Sequence, residues 1–203
     1  MNILAIETSC DETALSIINT TDSTESQPQF EVLSDLVISQ IDTHIPYGGV
    51  FPALAKREHA KNLVPLLESS LRKANLYQVR TETLDIDESM KSTLATILDR
   101  EPELYSALIS LVEKIEQPNI DMIMVTHGPG LAPALWVGVN FARALSVLWN
   151  IPIIPVNHME GHITSIILKD DYQGIQVRAQ TGLSRYNDAH NQFVSVTAGQ
   201  NFA

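Results

Sequence analysis

Cysteine is nearly absent from this sequence: Cys10 is the only one. An internal disulfide is thereby excluded, and a lone thiol fits a reducing compartment. Long apolar runs are missing too. No stretch approaches the roughly 20 apolar residues of a membrane-spanning helix, so no membrane anchor is expected. The opening MNILAI has neither the basic start nor the longer apolar region of a secretory signal. Together these features point to the cytoplasm. Positive charge is the third scarcity: 13 Lys and Arg stand against 24 Asp and Glu, for a net charge of −11. Affinity for nucleic acid rests largely on neutralising phosphates, so a chain this acidic is poorly suited to hold a polyanion unaided. If RNA is a substrate, other components must help to bring it.

What the sequence does contain is ordinary for a soluble domain: 203 residues, 44% hydrophobic and 18% charged, enough for one large domain or a tight pair. Residues 3–6 (ILAI) and 14–18 (ALSII) read as short strands around the polar loop ETSCDET at 7–13. Amides and hydroxyls in such a loop can face phosphate oxygens while a carboxylate holds a metal or a water. A solvated turn rich in Asp, Thr and Ser is the plainer alternative. Residues 20–28 are a breaker-rich connection, 30–38 a third strand antiparallel to the second, and 45–52 a loop. From 53 to 74, Leu54, Leu63, Leu66, Leu67 and Leu71 follow helical spacing; Pro65 predicts a kink or split near 62–65. Residues 90–98 and 104–115 read as two helices with solvated acidic faces, parted by Glu101 and Pro102.

A buried strand over 121–126 runs into HGPG at 127–130 and a helix over 131–149. The apolar run IPIIPV at 151–156 then reads as another buried strand. This βαβα order implies parallel strands. A glycine turn before a helix offers amides to an anion, and equally lets helix and strand approach closely. After it comes VNHMEGHITS, in which His158 and His162 stand about one turn apart. Paired imidazoles at that spacing can reach a single transition-metal ion. Alternatively, one histidine caps the helix and the other packs against it. Past residue 168 the chain is polar, and only 192–197 looks like a strand.

Four motifs in order, ILAIETSCDET, PALAKREHAKNLVPLL, THGPGLAPALWVG and VNHMEGHI, resemble the TsaD family of tRNA N6-adenosine threonylcarbamoyltransferases. The resemblance covers most of residues 1–75 and 120–168. It implies an α/β lobe of the actin, Hsp70 and sugar-kinase (ASKHA) superfamily: a mixed sheet flanked by helices, with a helical insertion over about 76–119. It also implies a reaction: transfer of threonylcarbamoyl from threonylcarbamoyl-AMP to N6 of adenosine 37 in tRNAs reading codons that start with A. On this resemblance His158 and His162 are the metal ligands, for one Fe2+ or Zn2+ ion per subunit. Asp11 and Glu12 are the catalytic carboxylates, Ser9 is a hydrogen-bonding partner, and Gly128 and Gly130 line the substrate cleft. The expected helpers are a TsaB-like scaffold paralogue and a TsaE-like P-loop ATPase, with no membrane involved.

Family members continue beyond the histidine helix with a Ser-Gly-Gly-His-Thr loop and a second lobe that carries a third metal ligand, an aspartate. Neither follows here, so residues 1–168 are expected to form the N-terminal lobe, with 169–203 a polar tail and the complementary lobe supplied otherwise. Two other readings stand beside this one. One is a non-catalytic scaffold of the same pathway, for which paired histidines have no use. The other is a metallopeptidase, suggested by the superficial likeness of HMEGH to HExxH; its glutamate sits one position too late for the general base.

Overall fold

Alternation of large apolar and small or polar residues builds the first two strands. β1 (Asn2–Glu7) buries Ile3, Leu4 and Ile6, and β2 (Glu12–Thr21) sends Leu15 and Ile17 inward at period two. β3 (Gln29–Ser39) adds an antiparallel edge. The computed structural model describes residues 1–21, 29–82, 84–167, 174–183 and 190–199, with side chains over 1–20, 30–82 and 84–164. Completing the sheet are β4 (Met122–Gly128) and β5 (Ile153–Asn157), parallel to β1, in the order β3-β2-β1-β4-β5. A mixed five-stranded sheet with flanking helices is the α/β arrangement expected.

The chain divides into two compact units, Met1–His158 and Met159–Ala203. In the first, α2 (Pro52–Lys73) and α5 (Ala132–Trp149) pack on each other and on the sheet, while α4 (Pro102–Val112) packs on α2 and α3 (Glu88–Ile97) on α5. The core among the described residues runs from Leu4, Leu15 and Ile17 of the sheet through Leu63, Leu67 and Leu71 to Leu94, Leu104, Leu108 and Phe141. α6 (His158–Ile167) begins at the last residue of this unit. Within the second unit, β6 (Gly174–Leu183) pairs antiparallel with β7 (His190–Gly199).

Local chemistry sets the ends of these helices. Asp87 caps α3 by accepting from the Ser89 and Met90 amides at 2.7 and 3.3 Å. Pro102 opens α4 and Pro133 the first turn of α5, where no amide bond is lost. Two asparagines in the left-handed region, Asn75 (φ 58°) and Asn150 (φ 53°), end α2 and α5.

Four expectations need correction. Helix α2 is continuous through Pro65. The residues on both sides of it, Leu63, Val64, Leu66 and Leu67, are all buried in the core, so packing holds the helix together across the missing hydrogen bond. Residues 45–52 are not all loop: α1 (Ile41–His44) leads into a 3-10 turn, Ile45–Tyr47. β5 is not a buried strand, because it forms a sheet edge and Ile154 remains 38% exposed. The stretch past residue 168 holds two strands where the sequence suggested one. Among the described residues no helix is long and apolar enough to cross a membrane.

Candidate active site

The sheet register brings three strand ends level. Ile6 of β1 pairs with Val125 of β4, Thr126 pairs with Val156, and Gly128 with Asn157 of β5. The carboxyl ends of β1, β4 and β5 therefore emerge side by side, the usual ligand edge of an α/β sheet. Glu7 ends β1, and His158 follows directly on β5.

These two side chains meet. His158 Nδ1 lies 3.2 Å from Ser9 Oγ and 3.4 Å from Glu7 Oε2. A carboxylate can only accept, so the neutral imidazole carries its proton on Nδ1 and presents a lone pair at Nε2. Burial works against ionising Glu7. Hydrogen bonds from Ser9 and Thr126, the Ser9 amide at 2.5 Å and the nearby His158 outweigh it, holding the carboxyl below its usual range. An imidazole oriented by a carboxylate on one nitrogen is the arrangement that metal-ligating histidines use. The chemistry at His158 thus fits a divalent transition-metal ion. His162 lies on α6 and is exposed. Among the described residues, no three His, Cys, Asp or Glu side chains form a metal-holding group.

The loop between β1 and β2 is clamped from two sides. On one side is the glycine turn and α5: Leu131 N donates to Ser9 O at 2.8 Å, and Thr8 Oγ1 to Ala134 O at 3.0 Å. Gly130 permits this approach, since a Cβ there would sit 2.7 Å from Ser9 O; Gly138 likewise lies directly under the Thr8 side chain. Gly128 adopts φ 147°, open only to glycine at low cost. The turn therefore seats the loop, and Gly130 borders Ser9 while Gly128 lies against Leu135.

On the other side is a buried histidine. His59 Nε2 lies 3.1 Å from Cys10 O, and its Nδ1 lies 2.8 Å from Thr13 Oγ1 and 3.2 Å from Gln40 Nε2. Cys10 O is an acceptor, so Nε2 carries the proton and Nδ1 accepts from the threonine and the amide. Gln40 Oε1 then accepts from His44 Nε2 at 3.2 Å, and the Gln40 main-chain N–H donates to Asp11 O at 2.8 Å. Burial pushes the pKa of His59 down, keeping it neutral. Between these supports Asp11 is half-buried and Glu12 exposed. The pKa of the exposed Cys10 thiol is pushed up by partial burial and by Asp11, which disfavours the thiolate.

Sequence reasoning gave no role to Glu7, His59 or Gln40. Glu7 had a signal, being the one charge at the end of an apolar strand. His59 had another: it falls in the i, i+4 stripe Ala55, His59, Leu63, Leu67, Leu71, every member fully buried.

The sequence profile of TsaD, tRNA N6-adenosine threonylcarbamoyltransferase, matches residues 31–83 and 103–182. The chain belongs to the TsaD family. Its relatives include the tRNA N6-adenosine threonylcarbamoyltransferases of Koribacter versatilis, 38% identical over 173 residues, and of Fusobacterium nucleatum, 36% identical over 173 residues. Each match takes in 85% of this chain but only 33% and 37% of those proteins. This TsaD-family chain thus spans about a third of the length of such relatives. Among solved structures, YeaZ from Pseudomonas aeruginosa is similar at 12% identity over 100% of this chain and 70% of its own, with a TM-score of 0.43. Residues 84–102, which include α3, fall outside the TsaD match.

Proposed function

We propose that this chain acts as one lobe of an enzyme that transfers threonylcarbamoyl from threonylcarbamoyl-AMP to N6 of adenosine 37 in tRNAs reading codons that start with A. The observation that carries the reading is the meeting of Glu7, Ser9 and His158 at the strand ends of a TsaD-family chain. In the reaction the adenosine N6 attacks the carbamoyl carbon. A C–N bond forms, the C–O bond to the adenylate phosphate breaks, and AMP leaves with that electron pair. The N6 proton must pass to a base, and Asp11 and Glu12, on the loop held by His59 and Gln40, are the carboxylates assigned to accept it and to position the amine. Ser9 and the Gly128 to Gly130 turn border the donor. His158 and His162 would hold the Fe2+ or Zn2+, with Glu7 orienting His158; when bound, such an ion supplies charge that steadies a carbonyl or phosphate oxygen. Transfer needs a complementary C-terminal lobe. tRNA delivery relies on a TsaB-like scaffold and a TsaE-like ATPase, in keeping with the net charge of −11.

The test is transfer to an unmodified tRNA transcript with preformed donor, metal and partner proteins, with and without the C-terminal lobe of a relative added in trans. Transfer is expected only with the added lobe, and His158→Ala should lose both bound metal and transfer. Transfer without the lobe would remove the need for a second half. No transfer in either arm would leave the scaffold reading in its place.

A further inference from the structure

A cleft of 480 Å³ opens beside the N-terminal half of α5. One wall is α5, with Trp136 and Arg143. The other is the α3 to α4 connection, with Asp99, Arg100 and Glu101, and Lys56 of α2 closes one side. The second wall lies in residues 84–102, outside the TsaD match, so the cleft joins family sequence to sequence beyond it.

The charges in this cleft are unequal in what they can offer. Lys56 Nζ sits 2.9 Å from the buried Glu101 carboxylate, and the two largely neutralise each other. Arg100, Arg143 and Asp99 are the remaining charged residues of the lining, and neither guanidinium is in an ion pair among the described residues. Arg143 donates only to the neutral Asn140 Oδ1, at 3.2 Å. A local excess of positive charge therefore survives on a chain of net charge −11. At its edge stands Trp136, 58% exposed, whereas the other aromatic side chains of α5, Phe141 and Trp149, are buried at 0% and 4%.

We infer that this cleft binds a nucleotide, free or within a single-stranded RNA, with its base stacked on Trp136 and its phosphate held by Arg100 and Arg143. An indole face takes any base through its π surface, and guanidinium forks match phosphate oxygens in pairs. Inorganic phosphate would leave the tryptophan unused. An apolar ligand would leave two guanidinium groups unpaired.

Trp136 supplies the readout, because the chain has two tryptophans and only this one is accessible. The purified chain, without metal or donor, is titrated with a short single-stranded RNA, with AMP, with adenosine and with inorganic phosphate. Binding is followed by tryptophan quenching and by polarisation of labelled RNA. Saturable quenching that weakens with salt is expected for RNA or AMP. Trp136→Leu, Arg100→Gln and Arg143→Gln should each weaken polarisation-detected RNA binding about tenfold. All three sites are exposed, and unchanged melting temperatures would confirm that the variants fold. RNA binding much tighter than AMP assigns the strand as the natural ligand; equal affinities assign the free nucleotide. Absence of saturable binding, affinity unchanged in the three variants, or phosphate competing as well as AMP would overturn the assignment. Because the assay involves no transfer step, its failure leaves the proposed reaction untouched, and the converse holds.

Discussion

His59 does at the residue scale what a whole turn does on the far side of the loop. Its Nε2 proton binds Cys10 O and its Nδ1 lone pair receives Thr13 and Gln40, so a single side chain ties the Cys10 carbonyl to the Thr13 hydroxyl across Asp11 and Glu12. Only the neutral form satisfies all three partners, since a proton on Nδ1 would face the Gln40 amide donor. The pH dependence follows. The unfolded chain holds this imidazole at the usual pKa of about 6.5, while the folded chain holds it lower. Between those two values the unfolded state binds a proton that the native state does not. The contribution of His59 is therefore complete above about pH 6.5 and declines as the pH falls toward the folded pKa. His59→Gln keeps an amide donor for Cys10 O and does not titrate. Urea unfolding at about pH 7 and about pH 5 should show a larger loss of stability in the parent than in the variant; equal losses would mean that His59 does not carry this dependence.

At the scale of the element, α2 contains its own test. Pro65 is exposed, and its ring removes the donor that would pair with the Lys61 carbonyl. Pro65→Ala restores that bond and gives up little packing. The variant should be more stable by about 1 to 3 kcal/mol, read as a higher melting temperature, since proline is about 3 kcal/mol less favourable than alanine inside a helix and its restriction of the unfolded chain offsets part of that. A lower melting temperature would mean that the proline's restriction of the unfolded chain outweighs the missing bond. The same helix shows how much could be read in advance. Its extent was legible from the leucine period, and its continuity was not, because a proline kink is a local rule and the buried flanks that overrule it come from other elements.

At the scale of the whole molecule, the core cluster of the described residues lies entirely within the unit Met1–His158. A chain ending after residue 158 should therefore keep one cooperative unfolding transition, with a melting temperature within a few degrees of the parent. Loss of cooperativity on scanning calorimetry would show that residues 159–203 complete the core. The same scale explains why the candidate site was half visible. Ser9, Asp11, Glu12, His158 and His162 stand in motifs of distinctive composition. Glu7 and Gln40 do not, for they acquire a role only when parallel pairing and the clamped loop bring partners distant in the chain within 3 to 4 Å.

By itself the sequence determined the family and the order and type of the first five strands and of the long helices, because apolar periodicity and motif spacing are local properties of the chain. Tertiary structure alone decided that α2 runs unbroken, that β5 lies at an edge, and that the α3 to α4 connection walls a cleft against α5. It also decided which nitrogen of His59 and of His158 carries the proton. Each of these depends on what another part of the chain places alongside, and burial and hydrogen-bond partners are set only once the chain has folded.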